Sequence, residues 1–326
     1  MFSQVIATFL CHNAFDGTCL GRRPTCPHVQ HGIRHNTPEQ ELVKSKKRPQ
    51  LSTAKQRELG AELRRIRTRA GYLATDMSRM LGWPASTISR LESGLRTYQA
   101  GDIAIYLARA KATPRELNNL VALDRRPDDG YQVRSHRAGF PDDLPLIALL
   151  DNGSQSITTY NPVSIPRQLQ IEPYIREVLV ASGYHEGPIL DALVHTRLAR
   201  QSICSRMSGQ FTFYLHEAAL LEHSASRSVL HEQLLHLLII SSVPYHRIHV
   251  LPANADITAK HIGFTVYLHD QHRPVVHHQQ FTTSLFLEND DDTAYYRSQL
   301  QRVAQQALTC QETQYWLAEQ VSKIVP

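Results

Sequence analysis

From Ala54 to Asp124 apolar residues recur at helical spacing, but a glycine or proline interrupts every run. That punctuation restricts the stretch to a bundle of short helices. Leu59, Leu63, Ile66 and Ala70 repeat one face of a first helix, which Gly71 stops. A second helix carries Met77 and Leu81 and ends at Gly82. A third begins near Pro84, where proline is tolerated in a first turn, and turns Ile88 and Leu91 inward before Gly94. A fourth carries Ile103 and Leu107. A fifth opens on Thr113-Pro114-Arg115-Glu116, a capping box, and carries Leu117, Leu120 and Val121.

Charge singles out the same stretch. Between Lys44 and Lys111 there are fifteen Lys or Arg against five Asp or Glu, a surplus of ten in a chain whose net charge is +5, so the remainder sums to about −5. A compact basic domain fits a polyanionic partner, because each phosphate it neutralises releases condensed counterions. Arg64, Arg65, Arg67 and Arg69 fall on the face of the first helix away from its leucines, and a solvated basic face with no partner would look the same.

Within that domain stand Leu63-Arg64-Arg65-Ile66-Arg67, Ala70-Gly71-Tyr72, Asp76-Met77-Ser78, Leu81-Gly82 and Ser86-Thr87-Ile88-Ser89-Arg90-Leu91-Glu92-Ser93-Gly94. This order resembles the phage-repressor (XRE) class of helix-turn-helix. It has a small Ser78 inside the second helix, a glycine at the turn, Ile88 one turn before Leu91, and a closing Ser-Arg-Leu-Glu-x-Gly. Ser78 fits a close helix crossing, and Gly82 supplies the positive φ of a tight interhelical turn. The resemblance implies a five-helix, lambda-repressor-like domain over residues 51–124 whose third helix enters the major groove of double-stranded DNA. By motif alignment its contact residues are Ala85, Ser86, Thr87, Ser89, Arg90 and Arg96. Arg90 suits a bidentate bond to guanine or a phosphate contact, Ser86 and Thr87 suit bases or phosphates, and Arg96 suits the backbone. Members of the class often carry Gln where this chain has Ala74 and Ala85, which puts more weight on shape readout, phosphate contacts and a two-fold dimer on a palindrome.

Beyond a Pro-, Gly- and Asp-rich linker at 125–155, helical and strand-like runs alternate. Helices are predicted at Glu172 to Ser182, Gly187 to Met207, Ser228 to Ser241, Asp291 to Thr309 and Gln311 to Ile324. Strands are predicted at Phe211 to Leu215, Arg247 to Leu251, Phe264 to Leu268, Pro274 to His277 and Phe281 to Leu287. The fold class is therefore mainly α, with an α+β second domain over 156–326. Ile165-Pro166-Arg167-Gln168-Leu169-Gln170, Arg197-Leu198-Ala199-Arg200-Gln201, Leu215-His216-Glu217-Ala218-Ala219-Leu220, Val250-Leu251-Pro252 and Gly263-Phe264 resemble, in that order, the C-terminal domain of the actinobacterial WhiJ-like, antitoxin-like regulators. Arg167 stands where that family usually has glycine, and His277-His278-Gln279 where its strand tends to end in glutamate. The resemblance implies regulation and partner binding with no chemistry attached, and three partners stay open: a small-molecule ligand, a small protein encoded by a neighbouring gene, and self-association.

No catalytic, cofactor or metal site is expected. His231 and His236 are five residues apart and diverge by about 140° on a helix, unlike the i, i+4 pair a zinc protease needs. His216-Glu217 and His277-His278 read as strand-end polar residues, and Cys204 and Cys310 as buried thiols. Residues 1–50 read as a disordered leader, or as a start assigned too far upstream; their Cys11, Cys19 and Cys26 match no recurrent zinc spacing. Five cysteines, no secretory n-region and no run of about 18 apolar residues point to the cytoplasm and away from a membrane. Two readings of function follow: a dimeric, sequence-specific transcription regulator, or a protein-interaction adaptor whose helix-turn-helix has lost DNA affinity. A metal-dependent enzyme carrying a DNA-binding domain is a remote third.

Overall fold

The structure is a computed structural model that describes residues 51–96, 99–204, 210–221, 225–243, 246–257 and 262–324. The leader expected over residues 1–50 lies outside the described residues. Helices α1 (Ala54–Arg69), α2 (Ala74–Leu81), α3 (Ala85–Glu92), α4 (Ala100–Arg109) and α5 (Pro114–Asp124) form the bundle. Local chemistry sets its ends. Thr53 and Gln56 make a reciprocal capping box on α1, Thr113 and Glu116 another on α5, and Gly71, Gly82 and Gly94 take φ values of 80°, 67° and 72° where the chain leaves a helix. Leu59, Leu63, Ile66, Met77, Ile88, Leu91, Ile103, Leu107 and Leu120 meet in one core, joined by Tyr106. Leu117 and Val121 do not join it. The inner face of α5 is Glu116, Leu120 and Leu123, and the expected apolar pair stays largely exposed.

After the bundle come β1 (Tyr131–Ser135), α6 (Pro145–Gly153), β2 (Ser156–Asn161), α7 (Glu172–Ala181), α8 (Pro188–Cys204), β3 (Gln210–His216) and α9 (Glu217–Leu221). Then follow α10 (Arg227–Ile240), β4 (His246–Leu251), β5 (Phe264–Leu268), β6 (Val275–Gln279), β7 (Thr283–Leu287), α11 (Asp290–Gln306) and α12 (Cys310–Lys323). The seven strands form one mixed sheet in the order β1-β7-β6-β5-β2-β3-β4. β2, β3 and β4 are parallel, and the others pair antiparallel. One face packs Ile157, Phe211, Phe213, Ile248 and Phe286 against apolar residues of α6, α10 and α12. The opposite face packs Tyr160, Phe264, Val266 and Val276 against Val303, Tyr296 and Leu300 of α11.

Residues 125–155, expected as linker, contain both β1 and α6, and β1 is an edge strand of the sheet. The bundle is consequently docked on the sheet rather than tethered to it. Ala54 lies in the same apolar cluster as Phe286 of β7. The Ala54 N–H donates to Glu288 Oε1 at 2.6 Å, Arg57 stands 3.8 Å from the same oxygen, and Arg134 of β1 donates to Glu58 Oε2 at 2.6 Å. Ser52 Oγ and His272 Nδ1 share a hydrogen bond of 2.5 Å, and the Arg273 N–H donates to the Ser52 carbonyl.

Candidate nucleic-acid interface

At 3.6 residues per turn, Ile88 and Leu91 share the side of α3 that faces the core, with Glu92 beside them, and all three are buried. Ser86, Ser89 and Arg90 fall on the opposite side and are exposed, Thr87 is half-buried at its margin, and Ala85, on the stripe of Ile88 and Glu92, is exposed because it opens the helix. Arg90 makes no ion pair or side-chain hydrogen bond among the described residues. Arg96, exposed beyond the helix, reaches back to donate from Nη1 to Thr87 Oγ1 at 3.0 Å. Of the six residues expected at the interface, the structure thus places Ser86, Ser89 and Arg90 on one exposed side with Thr87 at its margin, leaves Ala85 exposed in the first turn off that side, and ties Arg96 to Thr87. Trp83, Pro84, Leu91 and Asp102 line a small hollow with Thr87 and Arg96 beside the start of α3.

The turn that aims this helix is held twice. Gly82 is left-handed, as the sequence requires, and the Trp83 N–H donates to the Ser78 carbonyl at 3.1 Å. The Ser78 hydroxyl donates to the Trp83 carbonyl at 2.5 Å. The small residue inside α2 therefore ties the two helices by a hydrogen bond besides leaving room for their crossing.

A second close approach lies at Gly60. A Cβ on Gly60 would stand 2.5 Å from the Leu91 carbonyl oxygen and 2.8 Å from that of Glu92, so α1 meets the backbone of α3 at its C-terminal end. A Cβ on Gly94 would meet the Arg57 Cα at 2.7 Å, so Gly94 is needed for space as well as for its φ of 72°. Gly60→Ala is expected to cost ~1–3 kcal/mol, the usual range for overpacking, and to displace α3. Urea denaturation measures the loss, and a variant as stable as wild type would show that the contact yields.

Arg67 departs from the basic face expected of its neighbours. It is not part of a free basic face: it is buried, donating to both Glu92 oxygens, from Nε at 2.6 Å and from Nη2 at 2.8 Å, and from Nη1 to the Tyr72 carbonyl at 2.7 Å. Tyr106 of α4 donates its hydroxyl to Glu92 Oε1 at 2.6 Å, and burial, followed by this bond, pushes that phenol well above its ordinary pKa. One carboxylate thus joins α1, α3 and α4. Arg65 and Arg69 are also engaged, both with Glu116, whose carboxyl is held down to about 2 first by the Thr113 backbone N–H and also by Arg65 and Arg69. Arg64 makes no ion pair among the described residues.

In the second domain the first two motif segments pack on each other. Arg197 donates to Gln170 Oε1 at 3.0 Å and pairs with Asp142 at 3.1 Å, and Gln201 donates to the carbonyls of Arg167 and Gln170. Arg167 pairs with the same Asp142 at 3.7 Å, which gives the arginine in the glycine position a buried partner. His277 and His278 are not at a strand end. Both are buried within β6, where His277 Nε2 bonds Ser284 Oγ at 2.9 Å and His278 Nδ1 bonds the Gly263 carbonyl at 3.2 Å. Burial holds both imidazoles below their ordinary pKa. Cys310 is half-buried rather than buried, its thiol 3.7 Å from His249 Nε2. The Cys204 side chain and the three leader cysteines lie outside the described residues. No helix among the described residues is long and apolar enough to cross a membrane.

The profile of a helix-turn-helix domain matches residues 58–120. A second profile, a domain of unknown function (DUF5753), matches residues 144–319. No curated protein matches the chain. Among solved structures it is similar to TrmBL2, an archaeal chromatin protein described as showing a novel mode of DNA binding, with 10% identity, a TM-score of 0.28, and coverage of 64% of this chain and 66% of that one. The chain spans just under two thirds of that structure. The helices and the matched domain define a helix-turn-helix regulator of the DNA-binding kind. By the profile that covers more than half of its length, the chain belongs to the DUF5753 family.

Proposed function

We propose that this protein is a sequence-specific transcription regulator of the phage-repressor (XRE) class that reads double-stranded DNA through α3, acts as a homodimer in the cytoplasm, and carries out no catalytic step. The exposed row of Ser86, Ser89 and Arg90, with Thr87 and Arg96 beside it, supports this reading most directly: it is the side of a helix whose other side is locked by Glu92 and Gly60. Following the WhiJ-like, antitoxin-like resemblance, the second domain receives a small molecule or a small protein encoded nearby. α1 supplies the mechanical path. Its first turns are held by Glu288 and Arg134, and its middle seats α3 at Gly60.

Selection of genomic fragments, followed by a salt-series titration of wild type and Arg90→Ala, tests the proposal. A short palindrome should be recovered. Arg90→Ala should lose ~1–3 kcal/mol of preference at one base pair if the guanidinium bonds guanine. If it binds a phosphate, binding should weaken equally on all sequences, with a shallower salt slope. If no fragment is enriched and residual binding is equal for both proteins, the adaptor reading replaces this one.

A further inference from the structure

The two edges of the sheet are treated differently. At the β4 edge the chain closes itself: the Leu308 N–H donates to the Val250 carbonyl at 2.8 Å, and the Val250 N–H donates to Thr313 Oγ1 at 3.0 Å. At the other edge, among the described residues, β1 pairs with β7 alone. The Glu288 N–H donates to the Gly130 carbonyl and the His136 N–H to the Thr282 carbonyl, so the even-numbered residues of this strand direct their backbone groups at β7. By the alternation of an antiparallel ladder, Tyr131, Val133 and Ser135 direct theirs outward. Asp129 caps the Tyr131 N–H at 3.1 Å, while the Val133 N–H has no acceptor among the described residues. An open edge is ordinarily blunted by lysine, proline or a bulge. Here the side chains exposed along it are Tyr131, Val133 and Ser135, the first two 48% and 61% accessible, and Phe281 at the β6–β7 turn is 87% accessible. The Gly139 N–H donates to the Phe281 carbonyl at 2.7 Å, which puts Phe281 at the Ser135 end of β1.

We propose that β1 is a homodimer interface, pairing antiparallel with β1 of a second copy across a two-fold axis at Val133. In that register Val133 faces its own counterpart and the two exchange N–H and carbonyl bonds. The Val133 carbonyl already accepts from Arg134 Nη1 at 3.2 Å and keeps a second lone pair. Tyr131 faces Ser135 of the other copy, and Gln132 faces Arg134. No like charges stand opposite one another, because the one ionised side chain of the strand is neutralised by Glu58 within its own copy and already bonds Gln132 at 3.0 Å. An edge that complements itself under a two-fold fits a second copy better than an unrelated strand. It also supplies the symmetry that a palindromic operator requires. The inference deepens the dimer of the proposed function but stands on the edge itself, so the two can fail separately.

The test uses the full chain without DNA. Sedimentation velocity should show a dimer for wild type and a monomer for Val133→Lys, which sets two ammonium groups face to face yet changes a side chain that is exposed in the single copy. The melting curve of dilute protein should be unchanged. Val133→Cys should form an intermolecular disulfide under mild oxidation, since Cα atoms in a hydrogen-bonded antiparallel pair stand about 5.5 Å apart, within disulfide range. Wild type, with its five native cysteines, is the control. A monomeric wild type, a dimeric Val133→Lys, or a Val133→Cys that cross-links no more than wild type overturns the proposal. A monomer that still selects a palindrome leaves the DNA-binding reading standing without it.

Discussion

Replacing Glu92 with alanine is expected to destabilise the helix-turn-helix bundle by ~3–5 kcal/mol, the cost of leaving a buried charge without its partner. The charge is that of Arg67, which is 8% exposed and closed in by Tyr72 and Tyr106 as well as by the carboxylate. The loss falls on α3 in particular. Its C-terminal half is fixed by Leu91 in the core, by the close pass of Gly60, and by Glu92, whose carboxylate bonds side chains of both α1 and α4. Operator affinity should fall together with stability, whereas Arg90→Ala should lower affinity alone. Tyr106→Phe, which removes one hydrogen bond and keeps the ion pair, should cost only about 1 kcal/mol. Guanidinium denaturation of the three variants, with binding measured at a temperature where each is folded, separates these effects. A Glu92→Ala protein within about 1 kcal/mol of wild type would mean that Arg67 escapes to water, and the clamp would then not be what orients the recognition helix.

The five helices of the bundle are legible in the sequence because their signals are local: apolar spacing, glycine at the stops, and threonine with glutamate or glutamine at two of the starts. The clamp is less legible. Arg67 stands in a run of exposed arginines, yet it lies four residues after Leu63 and eight after Leu59, on the buried side of α1. Spacing therefore marks it as inward, although nothing local names a partner 25 positions away. β1 is hidden in the sequence for a different reason. Its alternation is inverted, with Gln132 and Arg134 buried and Tyr131 and Val133 exposed, because the covered side faces Glu58 rather than an apolar core. β2 reads Ser-Ile-Thr-Thr-Tyr-Asn and has only two apolar residues to signal a strand inside the sheet, where neighbours on both sides supply what local pattern does not. α6 sits in a stretch whose prolines and aspartates suggested a linker, although Leu146, Ile147 and Leu150 are wholly buried beneath the sheet. The exposed residues of α3 needed the motif as well as the period, since spacing alone says which side is inward and nothing about what the other side meets.

The contact between bundle and sheet predicts a pH dependence. Glu288 is fully buried, and loss of water pushes its carboxyl up to about 7 from an ordinary 4.5, against the pull of Arg57, the Ala54 N–H and Arg273 and with the push of Asp128. A group raised in the fold takes up its proton more readily folded than unfolded. Its contribution to stability is therefore complete below pH ~4.5 and is lost as pH rises through about 7. The interval corresponds to a change on the order of 3 kcal/mol. The imidazoles nearby run the other way. His272 is lowered to about 4 by burial, then by Arg57 and His269, and burial also lowers His269, so these two favour the fold above pH ~6.5 and weaken it on acidification. In wild type the opposing trends overlap between about pH 4.5 and 6.5 and partly cancel. Comparison with Glu288→Gln isolates the carboxylate, because the variant keeps the imidazoles and Arg57. Stability of the variant relative to wild type should climb by on the order of 3 kcal/mol from pH 5 to pH 8, read from urea midpoints at each pH. Parallel profiles would mean that the carboxyl is already ionised at pH 5 and that Arg57 overcomes its burial. A climb confined to this interval would make the seat of α1, and with it the seat of α3, weaker in mild alkali than in mild acid.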